Sequence, residues 1–249
     1  MDADRRFGSA TRLYGVTGAA RIRAAHVMVV GIGGVGSWAA EALARSGVGR
    51  LTLVDLDHVS ESNINRQIHA IESTLGQSKV RAMTDRIHSI NPDCQVCEVE
   101  DFVTDANWST LVPGSINAVI DACDQVRAKV VMAAWARLNS SIFISAGAAG
   151  GKRHAHLVDI NDLAAVTHDP LLAQVRYRLR KEHGAPRDAK KMSVTCVYSR
   201  EAVKPPDVSC AIESDGTLNC HGYGSVVSVT ATFGHCAAGW VLDKISTEV

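Results

Sequence analysis

VVGIGGVGSWAAEALARSGVGRLTLVDLDHVSESNINRQ, from Val29 to Gln67, joins a glycine-rich turn, an acidic strand end and a cluster of Asn, Arg and Gln in one segment. His26 to Val30 is apolar and rich in β-branched residues, which suits a strand buried on both faces. Gly31-Ile32-Gly33-Gly34-Val35-Gly36 follows at once, and Ser37 to Arg45 reads as a helix with Trp38, Ala42 and Leu43 turned inward. Glycines allow a tight turn and let the backbone approach a phosphate without a Cβ in the way, and the following helix aims its free N–H groups at the anion. Gly47 and Gly49 end that helix. Leu51 to Val54 is the second strand and runs into Asp55 and Asp57. An acid roughly 20 residues after the glycines holds a ribose hydroxyl in nucleotide-binding βαβ units. The expected fold is therefore α/β, a Rossmann-like sheet with helices on both faces. Gly31, Gly33, Gly34, Gly36, Asp55 and Asp57 are its candidate nucleotide-binding residues.

A dinucleotide-dependent redox enzyme needs nothing special after the acid. Here the chain continues Ser62-Asn63-Ile64-Asn65-Arg66-Gln67 and then Gly76-Gln77-Ser78-Lys79 at a helix start. Val80, Met83, Ile87 and Ile90 recur at helical spacing, and Asn91-Pro92 stops the helix. Arg and Lys aimed at a triphosphate neutralise the charge that builds up when a carboxylate attacks phosphorus. On the residues alone, Arg66 is equally a surface ion-pair partner and Lys79 an ordinary lysine. A cation in a first turn does oppose the helix dipole. Asp121 and Asp124 follow the apolar run Ala118-Val119-Ile120, at the C-terminal edge where open α/β sheets bind ligands, with helix capping as the alternative.

VVGIGGVGS, LVDLD, SNINRQ, GQSK, INP and VIDACD together resemble the ubiquitin-activating-enzyme-like superfamily of adenylating enzymes. That resemblance implies its adenylation fold, with ATP and Mg²⁺ bound. The glycine turn and the first acid of LVDLD would take adenosine and ribose. Asn63, Arg66, Gln67 and Lys79 would hold phosphates, and Asp124 would bind Mg²⁺ with Asp121 beside it. Within the superfamily the chain is most similar to the bacterial tRNA threonylcarbamoyladenosine dehydratases, through RFGSATRLYG, GIGGVGSWAAEALARSGVG, NRQIHA, INPDCQV, DFVT, CVYSREAV and VTATFG. Such enzymes use ATP to activate the carboxylate of a threonylcarbamoyl group beside the tRNA anticodon, and a ring then closes with loss of water. A homodimer is implied too. Sulfur-carrier-activating relatives place an arginine near position 9 that reaches the partner's site. This chain has Ser9 there, with Arg5, Arg6 and Arg12 nearby. A monovalent cation (K⁺ or Na⁺) at a subunit interface and a sulfur-relay partner protein are left open. The alternative function is adenylation of the C-terminus of a small sulfur-carrier protein.

The chain has 249 residues, 46% of them hydrophobic, enough for one large domain, with residues 26–146 as a nucleotide-binding half and 147–249 as a C-terminal half. No bilayer-crossing run and no leader is evident, so no membrane span and a cytoplasmic protein are expected. Formal net charge is zero, so tRNA as a partner needs a local patch, and no DNA partner is expected. Arg176, Arg178, Arg180, Lys181, Arg187, Lys190 and Lys191 supply one, unless they form a solvated helix face, while Tyr177 and Tyr223 are candidates for base stacking.

Seven cysteines, an odd number, argue against a disulfide framework. Cys94 and Cys97 form a single CxxC, whereas structural zinc needs two such pairs, so no zinc is expected. Cys123 reads as a buried filler. Cys220, beside His221, is the candidate transfer thiol, with Cys196 behind it, although intramolecular ring closure needs none. Val203 to Gly222 is the most loop-like stretch, a crossover segment by resemblance. Ala146 to Gly151 is either a close-approach turn or a hinge. His154–Ile160 and Ser193–Tyr198 read as strands. A final helix from about Ser225 to Lys244 would pack through Val226, Val229, Phe233 and Trp240.

Overall fold

The computed structural model describes residues 3–187, 190–205, 207 and 223–247. Helix α1 (Ala3–Ala24) leads into β1 (His26–Val30), α2 (Gly36–Arg45), β2 (Arg50–Val54), α3 (Lys79–Ile90) and β3 (Gln95–Val99). The chain goes on through α4 (Trp108–Leu111), β4 (Ala118–Asp121), α5 (Val126–Asn139) and β5 (Ile142–Ala146). It closes with β6 (Val158–Asp162), α6 (Pro170–Glu182), β7 (Thr195–Ser199) and α7 (Val227–Thr247). One seven-stranded sheet takes all the strands, in the order β3-β2-β1-β4-β5-β7-β6. Every pairing is parallel except that of β6 with β7. Both halves of the chain thus share a single sheet.

The apolar strands explain the layering. Val27 and Val29 of β1 face a core with Ala39, Leu43, Val80, Met83, Phe233 and Val241, from α2, α3 and α7. Met28 and Val30 face a second core with Trp108, Met132, Ala133, Val175 and Leu179, from α4, α5 and α6. Alternation in a strand sends neighbours to opposite faces, so β1, apolar at both, must be covered on both. Burying each such side chain contributes about 1.5–3 kcal/mol, and all four of these residues are buried.

The order places β2 and β4 on opposite sides of β1 while the chain runs β1-β2 and later β4-β5. Connections leave β1 and β4 in opposite directions, opening a crevice at their C-terminal ends, where ligands of such sheets bind. Several local expectations differ. In α2 the buried apolar side chains are Ala39, Ala40, Leu43 and Ala44, whereas Trp38 and Ala42 are half-buried. Trp38 turns sideways because its indole Nε1 donates to the Arg66 carbonyl at 2.9 Å. The strand expected over His154–Ile160 begins at Val158, after a 3-10 turn at Ala155–Leu157. The final helix starts at Val227, with Val229 and Phe233 buried against the sheet and Val226 exposed ahead of it.

Candidate active site

The crevice is a cavity of about 1040 Å³. Its floor is the glycine turn. Gly31 has φ +87°, and a Cβ there would lie 2.8 Å from the Ala122 backbone. Gly33 and Gly34 line the cavity. Gly36, expected to touch nucleotide, is instead buried under the turn, and a Cβ on it would stand 1.8 Å from the Gly31 carbonyl oxygen. Its role is to let the turn close.

Asp55 and Asp57 leave the end of β2. Asp55 accepts from the Ile32 N–H at 2.6 Å and from the Asp57 N–H at 2.9 Å, which ties the acid to the glycine turn. Burial pushes its carboxyl above the usual carboxylate range, with Lys79 and the two N–H groups opposing. Lys79 opens α3 with its charge met by two acids: its Nζ sits 2.7 Å from Asp57 Oδ2 and 4.0 Å from Asp55 Oδ1. It lines the cavity, and so do Asn63, Arg66 and Gln67. Asn63 Oδ1 accepts the Ser60 N–H at 3.1 Å, holding the turn that presents Arg66. The guanidinium bonds the Ser62 carbonyl at 2.6 Å and Asn65 Oδ1 at 2.9 Å. No carboxylate pairs with it among the described residues, so its charge faces the cavity unbalanced by an acid. Gln67 Oε1 and both ring nitrogens of His69 are buried without a hydrogen-bond partner among the described residues. Burial, reinforced by Lys79 and Arg86, lowers the His69 pKa to about 4 and keeps the ring neutral.

The two acids after β4 part company. Asp124 is exposed and lines the cavity. Asp121, expected beside the ligand, is fully buried and does not line it. It meets Lys129 Nζ at 3.0 Å through both oxygens and accepts from Ser145 Oγ at 2.6 Å. Lys129 also donates to the Ala146 carbonyl at 2.7 Å. Burial works against the Lys129 charge, but the Asp121 carboxylate outweighs it and raises the pKa. This pair fastens α5 beneath the ends of β4 and β5. Neither acid caps α5, whose N-cap residue is Gln125.

Most of the remaining wall was not assigned from the sequence, although a close-approach turn is one of the two readings of Ala146 to Gly151. Phe102 and Val103 after β3, Val126, Gly147 to Gly150, Gln174 and Thr230 all face the cavity. The Gly147–Gly150 stretch is a pinned turn: Ala148 N–H donates to Asp169 Oδ2 at 2.9 Å, and a Cβ on Gly147 would meet that oxygen at 2.1 Å. A signal existed for Phe102, Val103, Val126 and Gly147 to Gly150, since they follow strands β3, β4 and β5 at the ligand-binding edge.

A model of the ThiF family matches residues 8–248. The chain belongs to the ThiF family. The tRNA threonylcarbamoyladenosine dehydratase of Haemophilus influenzae is 41% identical to it over 244 residues, 97% of this chain and 94% of that protein. The crystal structure of the Escherichia coli tRNA N6-threonylcarbamoyladenosine dehydratase in complex with ATP matches with TM-score 0.89 and 42% identity, over 98% of this chain and 96% of that one. The molybdopterin-synthase adenylyltransferase of Salmonella typhimurium is 38% identical over 115 residues, 46% of each protein.

Within this ThiF-family chain, cysteine and arginine positions take simpler roles. Cys94 is buried and Cys97 exposed, so the CxxC does not converge on one point, and no group of three or more His, Cys, Asp or Glu could hold a metal among the described residues. Cys123 lines the cavity with its Sγ 3.1 Å from Asp121 Oδ1, and burial pushes its thiol well above the usual value. Cys196 is buried in β7 and likewise raised. Neither is a ready thiolate. Cys220 and His221 lie outside the described residues. Near Ser9, Arg12 donates to Ser9 Oγ at 2.9 Å, and Arg6 bonds the Ile90 carbonyl.

Proposed function

We propose that this ThiF-family chain uses ATP to dehydrate N6-threonylcarbamoyladenosine beside the anticodon of tRNA. The observation that carries the reading is the full-length match to such dehydratases, on a chain whose cavity gathers Arg66, Lys79 and Asp124 at the sheet's switch point. The sulfur-carrier alternative is weaker, because that likeness spans less than half of the chain.

The residues divide the work by chemistry. Gly33, Gly34 and Asp55 hold the nucleoside end of ATP, and the start of α2 faces its phosphates. Arg66 and Lys79 offset the negative charge that builds on phosphorus as a substrate carboxylate oxygen attacks it. Asn63 and Gln67 supply neutral donors to the same oxygens. Asp124 is a hard oxygen donor, suited to share a Mg²⁺ ion with phosphate oxygens and water, which would neutralise phosphate charge. Lys79 is handed from Asp57 to the ligand, since Asp57 is 58% exposed and can turn to solvent. A nitrogen of the same threonylcarbamoyl group then attacks the activated carbonyl carbon and gives up its proton. The activating phosphoryl or adenylyl group departs with the former carboxylate oxygen, so the substrate loses the atoms of one water. Attack within one group gains the advantage of proximity and needs no enzyme nucleophile. The homodimer belongs to the same proposal, with Arg5, Arg6 and Arg12 as the basic residues near Ser9.

The test is mass spectrometry of nucleosides, mildly digested from tRNA bearing the modification, after incubation with the protein and Mg-ATP. A product lighter by one water, dependent on ATP and Lys79, supports the reading. ATP binding with no change in the tRNA refutes it in favour of carrier activation.

A further inference from the structure

Helix α6 links the reaction cavity to a second concavity. Its first turn, through Pro170, Leu171 and Gln174, lines the main cavity. Its later turns, together with Arg187, form a groove of about 520 Å³ lined by Ala173, Arg176, Tyr177, Arg180, Lys181 and Arg187. Pro170, Gln174, Tyr177 and Lys181 are spaced i, i+4, i+7 and i+11, so they form one stripe along the helix from cavity to groove. From Pro170 to Lys181 the stripe covers about 16 Å at the α-helical rise.

The groove's chemistry is specific. Four of its six lining residues are cationic and none is acidic, in a chain whose formal net charge is zero. Arg176 donates to the carbonyls of Leu163 and Val166, and Arg180 to that of Pro186, so these two guanidiniums are fixed in place. Among the described residues the side chains of Lys181 and Arg187 make no hydrogen bond or ion pair, and both residues are exposed. The Tyr177 ring is 63% exposed, with Lys181 Nζ 5.9 Å from its centroid. A large exposed aromatic framed by cations offers a stacking surface for an unpaired base and neutralisation for flanking phosphodiesters.

We propose that this groove binds the RNA strand adjoining the modified adenosine, Tyr177 stacking a neighbouring base and Lys181 and Arg187 holding phosphates, so that the α6 stripe leads the reacting nucleoside into the cavity. The inference rests on the tRNA dehydratase reading and adds to it the surface that receives the substrate.

Four variants test it: Lys181→Glu with Arg187→Glu, Tyr177→Ala, Tyr177→Phe, and Lys244→Glu as a charge control far along the chain. Dehydration of modified tRNA is followed against tRNA concentration, with ATP affinity measured separately. The double variant should raise KM for tRNA about tenfold or more and flatten the log–log salt dependence of tRNA binding by about 1.4–1.8, for two lost phosphate contacts. ATP affinity and kcat at saturating tRNA should stay within twofold of wild type. Tyr177→Ala should raise KM about tenfold, and Tyr177→Phe should restore it, since the ring face and not the hydroxyl is used. Lys244→Glu should leave KM unchanged. Wild-type dehydration with an unaltered KM in the double variant overturns the groove and leaves the function standing. No dehydration by the wild type takes down both. Loss of binding to an acidic carrier protein, with tRNA binding intact, overturns the RNA assignment.

Discussion

Lys129→Met separates the two possible jobs of Asp121. The substitution keeps the aliphatic length and removes the ammonium that meets both Asp121 oxygens at 3.0 Å in a site with no solvent access. Asp121 would keep the Ser145 hydroxyl at 2.6 Å and the Cys123 thiol at 3.1 Å, neither of which carries charge to balance it. Breaking a buried pair by removing one partner costs about 3–5 kcal/mol, because a buried charge is left uncompensated. For a chain of this size each kcal/mol lowers Tm by about 2–4 °C, so the expected drop is roughly 6–20 °C. The double variant Asp121→Asn with Lys129→Met removes both charges and should recover most of that loss. Urea unfolding measures the stabilities, and titration with ATP measures affinity on the folded fraction. A structural pair predicts that ATP affinity in the double variant stays within about threefold, below 1 kcal/mol. A loss under 1 kcal/mol in the single variant would refute the buried-pair argument. A stable double variant with ATP affinity reduced a hundredfold would return Asp121 to the ligand.

Lys79→Ala should abolish ATP-dependent turnover while costing about 1 kcal/mol or less in stability, since its Asp57 partner is 58% exposed; single-turnover assays and thermal melts read the two effects. Asp124→Ala should likewise remove turnover and leave Tm unchanged, and near-normal activity would exclude it from the mechanism. Gly36→Ala should destabilise by about 1–3 kcal/mol or more, because a Cβ 1.8 Å from the Gly31 carbonyl forces the turn open; ATP affinity should fall with it. His69 titrates near 4 when folded and near 6.5 when unfolded. As pH falls the unfolded chain takes the proton first. Stability contributed by neutral His69 is therefore full above about pH 6.5 and declines by up to about 3 kcal/mol towards pH 4. His69→Gln should flatten that decline in urea unfolding measured across the range. Cys220→Ala should retain most activity if ring closure is intramolecular.

The α/β layering and the location of the site were legible because they follow from short-range patterns. Two-sided apolar strands at Val27–Val30 and Ala118–Ile120 have to be covered on both faces, and a glycine turn followed by a helix has few alternatives. Residues 63, 66, 67 and 79 were readable as one cluster because they fall within seventeen positions of one another, between the end of β2 and the first residue of α3. What the chain order could not convey is which of two neighbouring acids faces inward. Asp121 and Asp124 are three residues apart, yet one is sealed beneath the cavity and the other opens into it. That choice is made by Lys129, one helical turn into α5, and by Ser145 from another strand, whose positions depend on how α5 packs. Gly36 likewise is buried within the turn, because its neighbour in space is the Gly31 carbonyl. The sequence alone determined the elements and their layering, since these depend on local spacing and hydrophobicity, while residues 63, 66, 67 and 79 were singled out for phosphate by the resemblance to adenylating enzymes. Only the tertiary structure decided which charges are neutralised internally and which, like Arg66 and Asp124, face the cavity without an ion-pair partner among the described residues, because that balance is struck between side chains brought together from distant parts of the chain.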